Sequence, residues 1–346
     1  MQSIKYPKIT VLTSCYNSSI YLRESIESIL SQTFTDFEYV LIDDGSTDGT
    51  QEIIQNYAKS DERIVFISKT NTGLTDSLNV GLKKAKGKWI ARLDADDIAM
   101  PERLHKQYNF AEATDDPVLL GTGCFETDER GRTIKVHHYP LGNKRLHYYL
   151  IHGNKFFPHS SAFFLKDLTL SIGSYNPRYT KSQDRELWLR LSEYGAIACL
   201  GEPLIKLRRH SHSISYRDID KMQYILFIAA GICHVLRKRG QADPSNQDDQ
   251  TWKFFISWLA NNLEQRGILP LKEIKEYARK QWYLGMKAEA FKYLMRREVW
   301  AKIKRGGFKA ISYLVCGSPW WEHFAAAWTQ VVTEKSPASY LLKNDG

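Results

Sequence analysis

The sequence has no long hydrophobic run: nothing in it approaches the roughly 18 consecutive apolar residues that a bilayer-spanning helix needs. Met1 to Tyr6 is short and polar and a strand-like stretch begins at once, so no secretory signal is expected. Cysteine is scarce and dispersed. Cys15, Cys124, Cys199, Cys233 and Cys316 show neither CxxC nor metal-ligand spacing, which argues against a disulfide framework and for a reducing compartment. A cytoplasmic protein is expected, with peripheral attachment to the inner face of the cell membrane as the variant. Internal repeats and low-complexity tracts are also missing.

What is present suits an ordinary globular chain. The 346 residues suffice for one large α/β domain plus an extension. The formal net charge of +9 is uneven, with Lys and Arg crowded between Lys272 and Lys309 among Trp282, Tyr283, Phe291, Tyr293, Trp300 and Phe308. A solvated helical face and a surface that docks on an anionic leaflet both account for this composition. Nucleic acid is a third reading, but no recognition motif accompanies the charge and no such partner is expected.

The first part alternates strands and helices. Strand-like runs cover Ile9 to Ser14, Phe37 to Ile42, Arg63 to Ser68 and Trp89 to Leu93. Between them fall helix patterns: Leu22, Ile26, Ile29 and Leu30 behind the caps Ser18 and Ser19, and Ile53, Ile54, Tyr57 and Ala58 behind Thr47 and Asp48. Leu74, Leu78, Leu82 and Ala85 form the next, with Gly87 in the position of a C-terminal cap. Pro101 opens another helix. Repeated strand–helix–strand units predict a mostly parallel sheet with helices on both faces. Ligands bind such sheets beyond the carboxyl ends of the strands, so Ser14, Asp43, Asp44, Asp94 and Asp96 are expected to gather at one edge. From Val118 to about Ser215 the pattern is mixed, with a hairpin turn at Glu129 to Arg132, a strand from His159 to Leu165 and a helix from Asp184. Beyond Tyr216 it is helical, through Ile219 to Arg239, Trp252 to Arg266 and Leu271 to Arg297, with Gly240 to Gln250 as a surface loop. The expected division is a region 1–217, which the resemblance given below makes a catalytic domain with a nucleotide-binding half of about 1–117 and an acceptor half of about 118–217, and a basic, aromatic-rich extension, 218–346.

Asp94-Ala95-Asp96 follows an apolar strand. Two carboxylates one residue apart can reach a hard divalent cation and a ribose from one strand end, and such a cation neutralises a departing diphosphate. Many such triplets are turn residues or helix caps, and Asp97 can serve as a cap for the helix after Pro101. An aspartyl-nucleophile phosphatase would carry the triplet on its first strand. A nucleotidyltransferase would need a Gly-rich, basic loop after strand one, which Ser14-Cys15-Tyr16-Asn17-Ser18-Ser19 does not supply.

Val11 to Asn17, Ile29 to Thr33, Leu41 to Thr50, Asn71-Thr72-Gly73, Leu78 to Gly81, Ala85-Lys86-Gly87, Leu93 to Asp97 and Pro101 to Leu104 resemble, in order, the family-two glycosyltransferases of GT-A fold. The resemblance covers roughly residues 7–215 and weakens sharply beyond. It implies the GT-A nucleotide-diphospho-sugar transferase fold and an inverting, metal-dependent (Mn²⁺ or Mg²⁺) transfer from a nucleotide-sugar. A UDP-sugar is the first choice of donor, with dTDP- and GDP-sugars as alternatives. The acceptor is a saccharide or lipid-linked saccharide of a bacterial-type surface polysaccharide. A degenerate, non-catalytic binding or assembly module is the contrasting class, and retention of the metal-site carboxylates and a base candidate speaks against it.

The resemblance also implies roles. Ser14, Tyr16, Asn17 and Asn71 would line the nucleotide pocket, and Asp44 would accept a hydrogen bond from the base. Asp94 would approach ribose and metal, with Ala95 between it and Asp96, the direct metal ligand. In Ser182 to Leu191, Gln183 stands where Glu is usual, which leaves Asp184 as the general base. Arg209 would grip the diphosphate and His210 would complete the metal shell in the closing segment Leu207 to Ser215. His159 would lie near the donor sugar, or serve only as a hydrogen-bonded residue at a strand start. Trp188 is assigned to the sugar site with core packing as its alternative.

Overall fold

The structure, a computed structural model, describes residues 6–114, 117–151, 153, 156–211, 221–265 and 320–334. The boundary expected near 217, the helix of Leu271 to Arg297, the basic stretch Lys272 to Lys309, His212, Ser215 and Cys316 lie outside the described residues. Two compact units emerge, Met1–Asp218 and Ile219–Gly346.

The first unit opens with β1 (Ile9–Cys15), α1 (Leu22–Leu30), β2 (Phe37–Asp44), α2 (Thr50–Ser60), β3 (Ile64–Lys69), α3 (Leu74–Lys84) and β4 (Trp89–Arg92). After these come β5 (Ile98–Ala99), α4 (Arg103–Ala113), β6 (Pro117–Thr127), β7 (Thr133–His137) and α5 (Asn143–Ile151). A 3-10 turn (His159–Ser161) leads into β8 (Phe163–Leu165), α6 (Lys166–Ser171), α7 (Gln183–Leu191) and β9 (Ala196–Arg208). Among the described residues the strands form one nine-stranded sheet, ordered β3-β2-β1-β4-β8-β6-β9-β5, with β7 on β6. Strands β1 to β4 pair in parallel, as do β6 and β9. Strand β8 runs antiparallel to both β4 and β6.

Side-chain alternation explains the two covered faces. Ile9, Val11, Tyr39 and Leu41 join Leu22, Ile26 and Ile29 of α1, Ile53 and Ile54 of α2 and Leu104 of α4 in one core. Leu12 and Ile42 point the other way, to α3, where a Cβ on Gly81 would stand 2.3 Å from Leu12 Cδ1.

Several local expectations are corrected. Ser18 and Ser19 do not cap α1, whose N-cap position is Tyr21; Ser18 turns its hydroxyl to Tyr16 O instead. The N-cap position of α2 is Gly49 rather than Thr47 or Asp48, though Asp48 accepts from Thr50 N at 3.1 Å at the helix start. Gly87 is no helix cap. Any Cβ there would stand 2.4 Å from Thr10 N, so glycine is required by the close approach of two backbones. Residues 159–161 form a 3-10 turn, and strand begins only at Phe163. Asp97 does not cap α4; it is buried and bonded elsewhere, as shown below.

The second unit contains α8 (Lys221–Lys238), α9 (Asp249–Gln265) and α10 (Trp320–Glu334). Phe254, Phe255, Trp258, Phe324 and Trp328 pack ring on ring in its core. The expected surface loop between α8 and α9 is partly interior. Asp243 is 5 % exposed, accepts from Ser245 N at 2.8 Å and is paired with Arg237. No helix among the described residues is long and apolar enough to cross a membrane.

Candidate active site

From β1 the chain winds outward through β2 to β3, then returns to place β4 on the other side of β1. Such a reversal opens a crevice beyond the strand ends, where ligands of parallel sheets bind. The register puts Cys15 beside Asp43 and Leu12 beside Arg92, so Ser14, Asp43, Asp44 and Asp94 share that edge.

On the side of β1 and β2 the polar residues build the loops. Asp44, 2 % exposed, accepts from Thr72 N at 3.0 Å and Gly73 N at 2.9 Å, and pairs with Lys69. Burial alone would raise its carboxyl; the Lys69 and Thr72 bonds outweigh burial and hold it below the ordinary value. Gly45, at φ +73°, lies so close to Asn71 N that a Cβ would approach to 2.8 Å. Asn71 is thereby presented to solvent. Asn17, at φ 49°, accepts from Thr47 N at 2.8 Å through Oδ1, and its own N–H donates to Ser46 Oγ. Its side chain thus joins the β1–α1 and β2–α2 loops. Ser14 is half-buried and Tyr16 is 54 % exposed beside them.

Beyond β4 the acidic run separates into distinct environments. Asp94 pairs with the fully buried Arg92 and accepts from Ser160 Oγ at 2.7 Å. Burial opposes its ionisation, but the Arg92 charge and the Ser160 bond hold the carboxyl below its ordinary value. Ala95 is 7 % exposed and its methyl belongs to the core, so only its backbone faces the site. Asp96 lies 2.8 Å from His210 Nε2, and the imidazole packs against Tyr21 with ring centroids 4.7 Å apart. Asp97, 1 % exposed, bonds Ser160 Oγ and accepts from Arg208 N at 2.9 Å. Burial, then Asp96 and Asp94, push its carboxyl well above the ordinary range. Arg208 donates to Asp96 O at 3.1 Å, reaches Glu24 at 2.7 Å and lies over the Tyr21 ring.

The remaining wall comes from the second half of the unit. His159 Nε2 lies 2.8 Å from Tyr175 Oη. Burial and the nearby Arg92 depress His159 to about 3, so its imidazole is neutral. Asn79 of α3 exchanges two bonds with the Tyr175 backbone, at 2.8 and 2.9 Å, and fixes the chain that leads into α7. Asp184 sits in the first turn of α7. Burial raises its carboxyl, against the bond from Arg185 N–H, and Asp94 raises it further. Gln183 is buried at the same helix start. Trp188, 1 % exposed, is corrected from sugar platform to core: its ring packs on Phe164 and His159 and presents no face to a ligand. Arg209 is half-exposed and paired with Glu126 at 3.1 Å, and Glu126 also holds His137.

The structure thus brings together Asp94, Asp96, His210, His159 and Asp184, and sets Asp44, Asn17 and Asn71 in adjoining loops. Sequence reasoning missed Arg92, Ser160, Tyr175, Glu126 and Arg208. A lone arginine inside the apolar run Trp89 to Leu93 was the available signal for Arg92. No local signal marks Ser160, since its partners lie more than sixty residues away. As to metal, no group of three or more His, Cys, Asp or Glu among the described residues forms a cage. The carboxylate–imidazole pair Asp96–His210 nevertheless fits a divalent ion that takes its other ligands from a diphosphate and water.

A reversal-point crevice lined by these carboxylates, on this sheet, is the arrangement expected of a glycosyltransferase, and the comparisons show that class. Residues 10–172 match the family model described as Glycosyl transferase family 2. The putative glycosyltransferase EpsE of Bacillus subtilis is 38% identical over 218 residues, 61% of this chain and 77% of that protein. The amylovoran biosynthesis glycosyltransferase AmsE of Erwinia amylovora is 32% identical over 212 residues, 60% of this chain and 79% of its own. The chain belongs to glycosyl transferase family 2. Among solved structures, S. aureus TarS 1-349, in a complex with UDP-GlcNAc, superposes with TM-score 0.57 at 17% identity, over 93% of this chain and 92% of that one, a likeness of fold.

Proposed function

We propose that this chain is an inverting transferase that moves a sugar from a nucleotide-sugar, a UDP-sugar first, to a saccharide or lipid-linked saccharide in surface polysaccharide synthesis. The observation that carries the chemistry is the place of Asp184, in the first turn of α7 and within the electrostatic reach of Asp94, where burial raises its carboxyl. A general base works best when its pKa approaches the working pH. Burial and Asp94 supply the upward shift that the absent acidic neighbour at Gln183 does not.

Each residue then has a task. Ser14, Tyr16 and Asn71 line the nucleotide pocket, whose loops Asn17 and Asp44 hold in place; Asp44 also accepts the imide N–H of the base. Asp94, kept ionised by Arg92 and Ser160, faces the ribose and the reacting sugar. Asp96 and His210 would hold a Mn²⁺ or Mg²⁺ ion, which when bound offsets the charge of the departing diphosphate. Arg209 approaches the same diphosphate. His159, neutral and steadied by Tyr175, offers a hydrogen bond to the donor sugar. Asp184 takes the proton of the acceptor hydroxyl as its oxygen attacks the anomeric carbon and the nucleoside diphosphate leaves from the opposite face.

AmsE, named for amylovoran biosynthesis, supports the polysaccharide reading of the acceptor. The test is a screen of UDP-, dTDP- and GDP-sugars for thermal stabilisation with Mn²⁺ or Mg²⁺, since a bound ligand raises apparent stability by mass action. Stabilisation by none of them would sink the donor assignment, and a product of retained anomeric configuration would sink the single displacement.

A further inference from the structure

Between Glu129 and Asp167 the sequence holds no acidic residue. In that stretch Arg130, Arg132, Lys135, Lys144 and Arg145 are exposed. Beside them stand four large apolar side chains in solvent: Ile134 and Leu141 at 62% exposure, Tyr148 at 44% and Val136 at 41%. The fold accounts for the display. Strand β7 pairs with the end of β6 alone, so every side chain of it except His137 is open. Helix α5 buries Leu146 and Leu150 and leaves Lys144, Arg145 and Tyr148 outside. The segment between them is anchored on β9: His138 Nδ1 lies 2.9 Å from Gly201 O, and Leu141 lies beside Gly201.

One acid from a neighbouring element, Asp128, neutralises Arg132, so the surplus charge rests on Arg130, Lys135, Lys144 and Arg145. Asp128 pairs with Arg132 at 2.6 Å and Glu202 with Lys106 at 2.9 Å, while Glu129 stands at the turn. A merely solvated face would mix charges of both signs and would not leave two aliphatic side chains more than half exposed on so short a stretch. Basic side chains beside aliphatic and tyrosyl ones match the headgroup region of a bilayer, where the charge meets phosphate and the apolar groups sink to the acyl boundary.

We propose that residues 130–148, strand β7 with the start of α5, form a docking surface for an anionic lipid bilayer. The inference takes the membrane-proximal acceptor as its occasion but does not depend on the donor chemistry. It also differs from attachment through Lys272 to Lys309. Each basic side chain at the lipid surface strengthens partition by about fivefold.

The full chain is sedimented with vesicles of phosphatidylcholine, alone or mixed with phosphatidylglycerol, at low and high salt. Binding to the anionic vesicles should exceed binding to the neutral ones by about tenfold or more and weaken as salt screens the charges. Joint replacement Arg130→Gln, Lys135→Gln, Lys144→Gln and Arg145→Gln should lower anionic binding by about tenfold or more. Joint Ile134→Thr, Val136→Thr and Leu141→Thr keeps strand propensity and should remove the part that survives high salt. Both variants should retain the parent's melting midpoint and its stabilisation by nucleotide-sugar, which separates lost docking from lost folding. A fourfold-Gln variant that binds as tightly as the parent, or a parent blind to phosphatidylglycerol, would overturn the proposal. Absence of stabilisation by every nucleotide-sugar would strike the donor reading and leave the vesicle result standing.

Discussion

The strands β1 to β4 and the strands β5 to β9 contribute to the crevice in different ways. In the first group, parallel neighbours end in loops that fasten themselves: Asp44 to Thr72 and Gly73, Asn17 to Thr47, Asp48 to Ser19 and Thr50. In the second, single groups reach back across the sheet: the Ser160 hydroxyl to Asp94, the Arg208 backbone N–H to Asp97, the His210 imidazole to Asp96. One half forms a receptacle from local turn chemistry; the other completes it with distant partners. A nucleotide, which is common to many donors, suits the preformed half. On the function proposed above, the reacting sugar and acceptor would meet the half that long-range packing shapes.

If that contrast is right, substitutions in the two halves should fail differently. Asp184→Asn should leave nucleotide-sugar stabilisation intact while kcat falls by at least about 10²-fold; loss of donor binding instead would blur the division. Gly87→Val, in the receptacle half, should act on stability, because the atoms it meets are backbone and cannot move aside. A loss of about 3 kcal/mol, read by denaturant titration, is expected, and an unchanged midpoint would contradict the close approach. Ser160→Ala sits on the seam and removes a hydroxyl shared by Asp94 and Asp97. It should cost about 1–3 kcal/mol and also lower kcat, and an effect on only one of the two would assign Ser160 to one half.

A further test of the second half concerns acid stability. His159 titrates at about 3 in the fold against an ordinary 6.5, so between those values the unfolded chain binds a proton that the folded chain refuses. Its contribution is therefore present above 6.5 and declines as pH falls towards 3. Melting midpoints across that window should fall less steeply in His159→Gln than in the parent. Equal slopes would refute the neutral imidazole.

The same contrast governs what the sequence discloses. Strands β1 to β4, their helices and the gathering of acidic strand ends are legible because periodicity and strand-end position are local. Gly87 was readable as important but not for the right reason, since its constraint is a neighbouring strand rather than its own helix. Asp97 was opaque: a carboxylate between a strand and a proline looks like a cap, and only the arrival of Ser160 and Arg208 makes it an interior tie. Trp188 was ambiguous for a similar reason, because an aromatic residue's spacing on a helix does not say whether its partner is Phe164 or a ligand. The pairing of Asp96 with His210, by contrast, followed from motif resemblance and not from any local rule.

The pairing of β6 with β9 carries a consequence for how the chain assembles. Pro117 lies beside Ala196 and Thr127 beside Arg208 in one long parallel ladder, so the connection between them must be closed before any of its bonds can form. Loop closure on that scale is slow relative to the short crossovers of β1 to β4. During synthesis the receptacle can take shape while β9 is still emerging, and the residues that finish the crevice join last. Until then β6 presents an unmatched edge, and the lifetime of that edge sets the window in which the nascent chain is vulnerable to aggregation.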